Sequence, residues 1–165
     1  MITIEPANLR DASFVTANMR PADAREIFCQ LPDDYRTDTL AMWSMQAGDA
    51  YVAYLKGQPV GFFGTAPMTV CCFSVWAMGT KRFERAAPAV GRFILDKLVP
   101  ARIEQGFTTA EARSMVGNDK AWRWIKNLGG LPASAPFLYG KGGERFILFR
   151  WTVAGYRSMS AKTRS

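Results

Sequence analysis

Proton transfer near neutral pH most often rests on histidine, and this chain of 165 residues has none. Its thiols are Cys29, Cys71 and Cys72. An odd number without Cys-x-x-Cys spacing argues against a disulfide framework. A zinc site would need all three thiols plus carboxylates, with two of the thiols adjacent, so no metal centre is expected. Cys71-Cys72 reads instead as a small apolar pair inside a strand. The other chemistry-bearing clusters are charged. Arg20, Asp23 and Glu26 stand three apart at a helix start, where carboxylates meet exposed N–H groups; capping and a surface ion pair account for them. Gly79-Thr80-Lys81-Arg82-Phe83-Glu84-Arg85-Ala86-Ala87-Pro88 is a basic helix entrance, in which Lys81, Arg82 and Arg85 can meet an anion through their side chains.

Periodicity supplies the elements that must position these groups. Ile2 and Ile4 alternate in a strand ended by Pro6. Asn8 or Asp11 caps a helix to about Met19, and Pro21 opens a second through Ala24, Ile27, Phe28 and Leu31. A third, through Leu40 and Trp43, ends at Gly48. Strands at Tyr51–Leu55 and Val60–Gly64 flank a Lys56–Pro59 turn. Met68–Ala77 reads as a longer strand buried on both faces. A long helix follows Pro88 through Val90, Phe93, Ile94, Leu98 and Ile103 to Gly106. Phe107–Arg113 is a strand, Asp119–Leu128 an amphipathic helix stopped by Gly129-Gly130, and Phe137–Tyr139 with Arg145–Val153 a hairpin. Trp122 with Ile125, and Trp124 with Leu128, form a core stripe on the late helix.

A chain of this length supports one core, and 48% apolar with 13% aromatic residues marks a globular composition. The expected domain is 1–153, followed by a basic flexible tail at 154–165. Apolar runs of about ten residues fall short of the roughly 20 a membrane span needs. Met1–Pro6 has no secretory pattern, which points to a cytoplasm as the site of synthesis. Charge is polarised: residues 1–50 hold eight acidic against four basic side chains, net −4, and 51–165 hold six against 17, net +11. Such a surface suits an anionic partner, nucleic acid included, or self-complementary packing.

The order of elements is that of the GNAT N-acetyltransferase superfamily. Asn118-Asp119-Lys120-Ala121-Trp122-Arg123-Trp124-Ile125-Lys126-Asn127-Leu128-Gly129-Gly130 resembles its late motif, where Asn opens a helix and a Leu-Gly turn ends it. More narrowly, residues 2–151 resemble a group of GNAT-like tailed-phage proteins that includes internal virion protein A of short-tailed podoviruses. Asn18-Met19-Arg20-Pro21-Ala22-Asp23 with Glu26 and Gly61–Gly64 carry this, as do Val75-Trp76-Ala77-Met78-Gly79-Thr80, Trp122–Ile125, and Gly140 and Gly143 before Phe146.

The resemblance implies a single GNAT-like α/β (α+β) domain with a central, mostly antiparallel mixed sheet and helices on both faces. It also implies an acetyl-CoA or other anion site at Gly79, Thr80, Lys81, Arg82, Arg85 and Asn118, with the Arg20–Glu26 helix bordering an acceptor groove. The sequence departs from the family at the chemistry. The loop lacks Gly-x-Gly, Phe83 and Glu84 place bulk and negative charge where a diphosphate would lie, and Pro88 removes an N–H donor. The fourth strand holds no carboxylate for a general base, and Ile125 stands where the family's acidic Tyr falls. Tyr139 is the remaining catalytic candidate. Three functions stay open. One is a non-catalytic, virion-associated interaction protein with other phage virion proteins as partners, made in the host cytoplasm and carried in the particle. The second is an acetyl-CoA-dependent N-acyltransferase with a divergent phosphate loop, acting on a protein or small amine. The third is a nucleic-acid-binding module.

Overall fold

Strand alternation sends apolar side chains to two opposite faces of one sheet, and helices cover both. The computed structural model describes residues 1–164. The chain begins β1 (Ile2–Pro6), α1 (Leu9–Ala17), α2 (Pro21–Phe28), α3 (Thr37–Ala47), β2 (Ala50–Leu55), β3 (Gln58–Pro67) and β4 (Cys72–Gly79). A 3₁₀ turn (Phe83–Arg85), α4 (Ala87–Phe93), a π turn (Ile94–Leu98) and α5 (Val99–Glu104) follow. β5 (Thr109–Met115), α6 (Asp119–Asn127), β6 (Leu131–Pro132), β7 (Phe137–Leu138), β8 (Arg145–Thr152) and α7 (Val153–Arg164) complete it.

The eight-stranded sheet runs β1-β2-β3-β4-β5-β8-β6, with β7 also on β8. Every pairing is antiparallel except β4 with β5. Val52, Tyr54, Phe62 and Met78 face α1 and α3, and Ala53, Leu55, Val60 and Phe63 face α4 and the π turn. A bulge makes this possible. Tyr54 pairs with Pro59 and Ala53 with Gly61, so Val60 is an extra residue that reverses the alternation and joins Phe63 on one face. The β2–β3 hairpin closes through Lys56-Gly57, both at positive φ, the geometry of a type I′ turn.

Three sequence expectations are corrected. The fourth strand begins at Cys72, because Met68 and Thr69 donate their amides to Cys72 O and turn the chain back. Cys71 therefore lies exposed in a turn instead of inside a strand. The long helix after Pro88 is interrupted: Val99 N–H reaches Ile94 O, five residues back, which makes a π turn. Residues 154–164 of the supposed tail belong to α7, and Ser165 lies outside the described residues. Its Tyr156 OH donates to Leu95 O at 2.9 Å, and Met159 packs on Gly129.

Candidate active-site cleft

Parallel pairing between β4 and β5 is limited to Cys72–Thr109, Phe73–Ala110 and Ser74–Glu111. Beyond Ser74 the two strands continue unpaired with each other, β4 to Gly79 and β5 to Met115, and open a cleft of about 340 Å³. Trp76, Ala77, Ala112 and Arg113 lie along its walls, with Asp23 and Glu26 projecting from α2.

These two carboxylates tie the diverging strands together. Asp23 accepts Gly79 N–H of β4 at 2.8 Å and pairs with Arg20 Nε at 2.9 Å. Glu26 accepts the Ser114 hydroxyl of β5 at 2.7 Å and the Met115 amide. Arg20 N–H donates to Gly79 O at 2.8 Å, and Met19 bridges Thr80, so the entry to α2 extends the edge of β4. Burial pushes both carboxyls up. For Asp23 it outweighs the Arg20 guanidinium; for Glu26 it outweighs the Ser114 and Met115 hydrogen bonds. The sequence gives Arg20, Asp23 and Glu26 the look of a surface cap. Asp23 is instead 4% exposed, Arg20 and Glu26 are half-buried, and the three form a clasp across the cleft. Residue type and spacing alone hold no signal for this, because the partners lie 56, 88 and 89 positions away.

The basic loop after β4 is folded inward. Thr80 N–H donates to Val60 O at 2.9 Å, Phe83 N–H to Thr80 O at 3.0 Å and Ala86 N–H to Phe83 O at 2.8 Å. Arg82 N–H reaches Thr80 Oγ1, and Arg85 N–H reaches Arg82 O. The Phe83 ring, 2% exposed, lies over Gly61 and Gly79, edge-on to Trp124 at 5.7 Å and beneath the Arg20 guanidinium at 5.2 Å. A Cβ on either glycine would meet Phe83 at 2.6 Å or less. The glycines thus admit an aromatic plug in place of backbone donors for a ligand.

Of the expected anion-site residues, Gly79 and Thr80 are buried, and Lys81, Arg82 and Arg85 are exposed, with no acidic partner among the described residues. Asn118 is buried as the α6 N-cap, its Oδ1 accepting Ala121 N–H at 3.5 Å. Its Nδ2 is buried without a hydrogen-bond partner among the described residues, and its influence on Glu26 toward the charged form is small beside burial. Lys81, Arg82 and Arg85 do not line the neighbouring groove of about 460 Å³ between α4 and α6; its cations are Arg20, Arg92, Lys120 and Arg123. Lys120 is engaged with Glu84 on the same wall. Tyr139 lines the cleft and is 44% exposed, its ring against Phe146 at 5.1 Å and under the Arg113 guanidinium at 5.5 Å. The late-helix stripe is shared between two clusters: Ile125 packs with Trp122, Ile147 and Phe149, and Leu128 and Trp124 pack against α4. No group of three or more metal-ligating side chains occurs among the described residues, and no helix there is long and apolar enough to cross a membrane.

Comparison of the whole chain places this architecture among known folds. No family model and no curated protein sequence matches it. Solved structures do. A putative acetyltransferase from Salmonella typhimurium, solved with its cofactor acetyl-CoA, superposes with a TM-score of 0.70 at 15% identity, over 92% of this chain and 94% of that one. An N-acetyltransferase from Staphylococcus aureus gives 0.70 at 13%, over 92% and 98%. A ribosomal-protein-alanine N-acetyltransferase from Brucella melitensis gives 0.68 at 15%, over 92% and 99%. The chain has the fold of the GNAT N-acetyltransferases. Within that fold its post-β4 loop does not fit a diphosphate held by backbone amides: those of Gly79, Thr80, Arg82, Phe83, Arg85 and Ala86 already have protein acceptors.

Proposed function

We propose that this protein is a non-catalytic GNAT-fold interaction component, of the virion-associated kind that its sequence resemblance implies. The inward-turned loop carries the reading. An acyl-CoA ligand would have to break the Asp23–Gly79 contact or displace Phe83 to find backbone donors, and Glu84 adds negative charge beside that entrance. No step of acyl transfer is therefore assigned to Tyr139, Glu26 or any other side chain. Fold alone does not confer the activity of neighbours that share it.

An acetyl-CoA-dependent N-acyltransferase is the second reading. The cleft, and Arg92 and Arg123 in the groove beside it, which have no ion-pair partner among the described residues, favour that function, because an anion can be held by side chains where amides are unavailable. Calorimetric titration with acetyl-CoA and CoA separates the two. The interaction reading expects no heat of binding, together with recovery of the chain in purified phage particles by mass spectrometry. Micromolar binding that vanishes in Arg92→Ala/Arg123→Ala or Arg82→Ala/Arg85→Ala would replace it with the enzyme. Binding to DNA instead, with affinity falling steeply as salt rises, would favour the nucleic-acid module.

A further inference from the structure

The groove between α4 and α6 combines an apolar floor with a rim of one charge. One wall is the stripe Ala87-Pro88, Gly91-Arg92 and Leu95; the other is Lys120, Arg123-Trp124 and Asn127-Leu128. Each stripe recurs every three to four residues, so the walls run along two turns of helix, about 12 Å. The floor forms where the helices meet. Trp124 Nε1 donates to Ala87 O at 3.3 Å, and Leu128 lies over Gly91, where an added Cβ would stand 3.0 Å from its Cδ2.

Charge complementarity fixes the class of occupant. Of the four cations, Arg20 is paired with Asp23, and Lys120 with Glu84 beside the start of both helices. Arg92 and Arg123 stand one on each wall, exposed, with no ion-pair partner among the described residues. A guanidinium takes a carboxylate through two parallel N–H donors, and an apolar floor takes a hydrocarbon side chain between two such pairs. A nucleic-acid backbone meets this groove less well. It is held by a row of cations, whereas Glu84 stands in the wall and Lys81, Arg82 and Arg85 lie outside.

We propose that the groove docks an acidic segment of a partner protein, with a large apolar side chain seated on Trp124 and Leu128 and flanking carboxylates paired with Arg92 and Arg123. This docking rests on the interaction reading above and supplies the partner's chemistry. The test is an NMR titration of the full chain with an amidated peptide of three Glu-Glu-Leu-Leu repeats. Saturating shifts of the Trp124 indole N–H and of the Arg92 and Arg123 Nε–H signals are the expected result. Affinity should fall at least about tenfold in Arg92→Ala/Arg123→Ala, as loss of two charge-assisted pairs requires. Both side chains are exposed, so the variant keeps the fold. Arg92→Glu/Arg123→Glu should reverse the preference, losing this peptide and gaining its Lys-Lys-Leu-Leu counterpart. Equal binding of a Glu-Glu-Ser-Ser peptide would reduce the contact to bulk charge and overturn the proposal. Absent shifts, or shifts unaltered in the variants, would do the same. So would an oligothymidylate that occupies the groove more tightly than the peptide, which assigns it to nucleic acid. CoA separates the two levels. Displacement of the peptide by CoA would give the groove to the acyltransferase and end both, whereas a chain that binds neither peptide nor CoA keeps the interaction reading and loses this site.

Discussion

Phe83 turns the loop after β4 into part of the core. Its burial against Gly61, Gly79 and Trp124 makes it one of the largest fully enclosed side chains. Phe83→Ala should cost about 3–5 kcal/mol in urea denaturation, the usual range for an enclosed phenylalanine. Gly61→Ala should destabilise the native protein, because its Cβ would lie 2.5 Å from the ring, and should cost far less in the Phe83→Ala background. Equal costs in both backgrounds would place the ring elsewhere. The sequence makes Phe83 visible as bulk unsuited to a phosphate loop. It does not show where that bulk goes, because Gly61 lies 22 positions earlier and reads as an ordinary strand glycine.

At the level of elements, legibility tracks how local the determining interactions are. The late helix was readable from its own residues: Asn118 caps it, and Gly129 at φ +92° ends it with Gly130 N–H on Ile125 O. α7 was not. Gly155, Ser158 and Ser160 dilute any apolar stripe, so the segment reads as a tail until Tyr156 and Met159 find the domain. Tyr156→Phe keeps the packing and removes only the donor to Leu95 O. It should lower stability by about 0.5–1.5 kcal/mol and raise amide exchange along α7. Unchanged exchange would mean that the latch does not hold the helix. The position of α2 in the element order is legible and its role is not, since an acidic residue in a first turn looks the same whether it faces water or a neighbouring strand.

Across the whole molecule, acid titration reports the clasp. Asp23 and Glu26 have native carboxyl pKa values raised by burial, so between their unfolded and native values the folded state holds more protons. Their contribution to stability therefore grows as pH falls through the native values and levels off below the unfolded ones. Asp11 opposes this: hydrogen bonds from Asn8 and Tyr54 lower its native value, and its contribution is lost on acidification. Tyr54, which donates that bond at 2.7 Å, is itself pushed up to about 12. Glu26→Gln should remove one acid-side gain, so its stability relative to wild type should fall between pH 7 and pH 4 in urea titrations. A constant difference across that range would place Glu26 in water. The two-faced sheet, its element order and the lack of a Gly-x-Gly after β4 are legible, because each is written in contiguous residues. The clasp joins segments more than fifty residues apart, and only the folded chain brings them together.

That clasp gives the cleft a resident competitor. α2 is covalently tethered beside the strands it bridges, and short tethers hold their ends at millimolar effective concentration. Any visitor to Gly79 or Met115 must displace a partner that never diffuses away, so its apparent affinity falls by the fraction of time the helix is docked. Asp23 and Glu26 thus make occupancy of the Gly79 and Met115 amides by any other acceptor a matter of displacement rather than of filling.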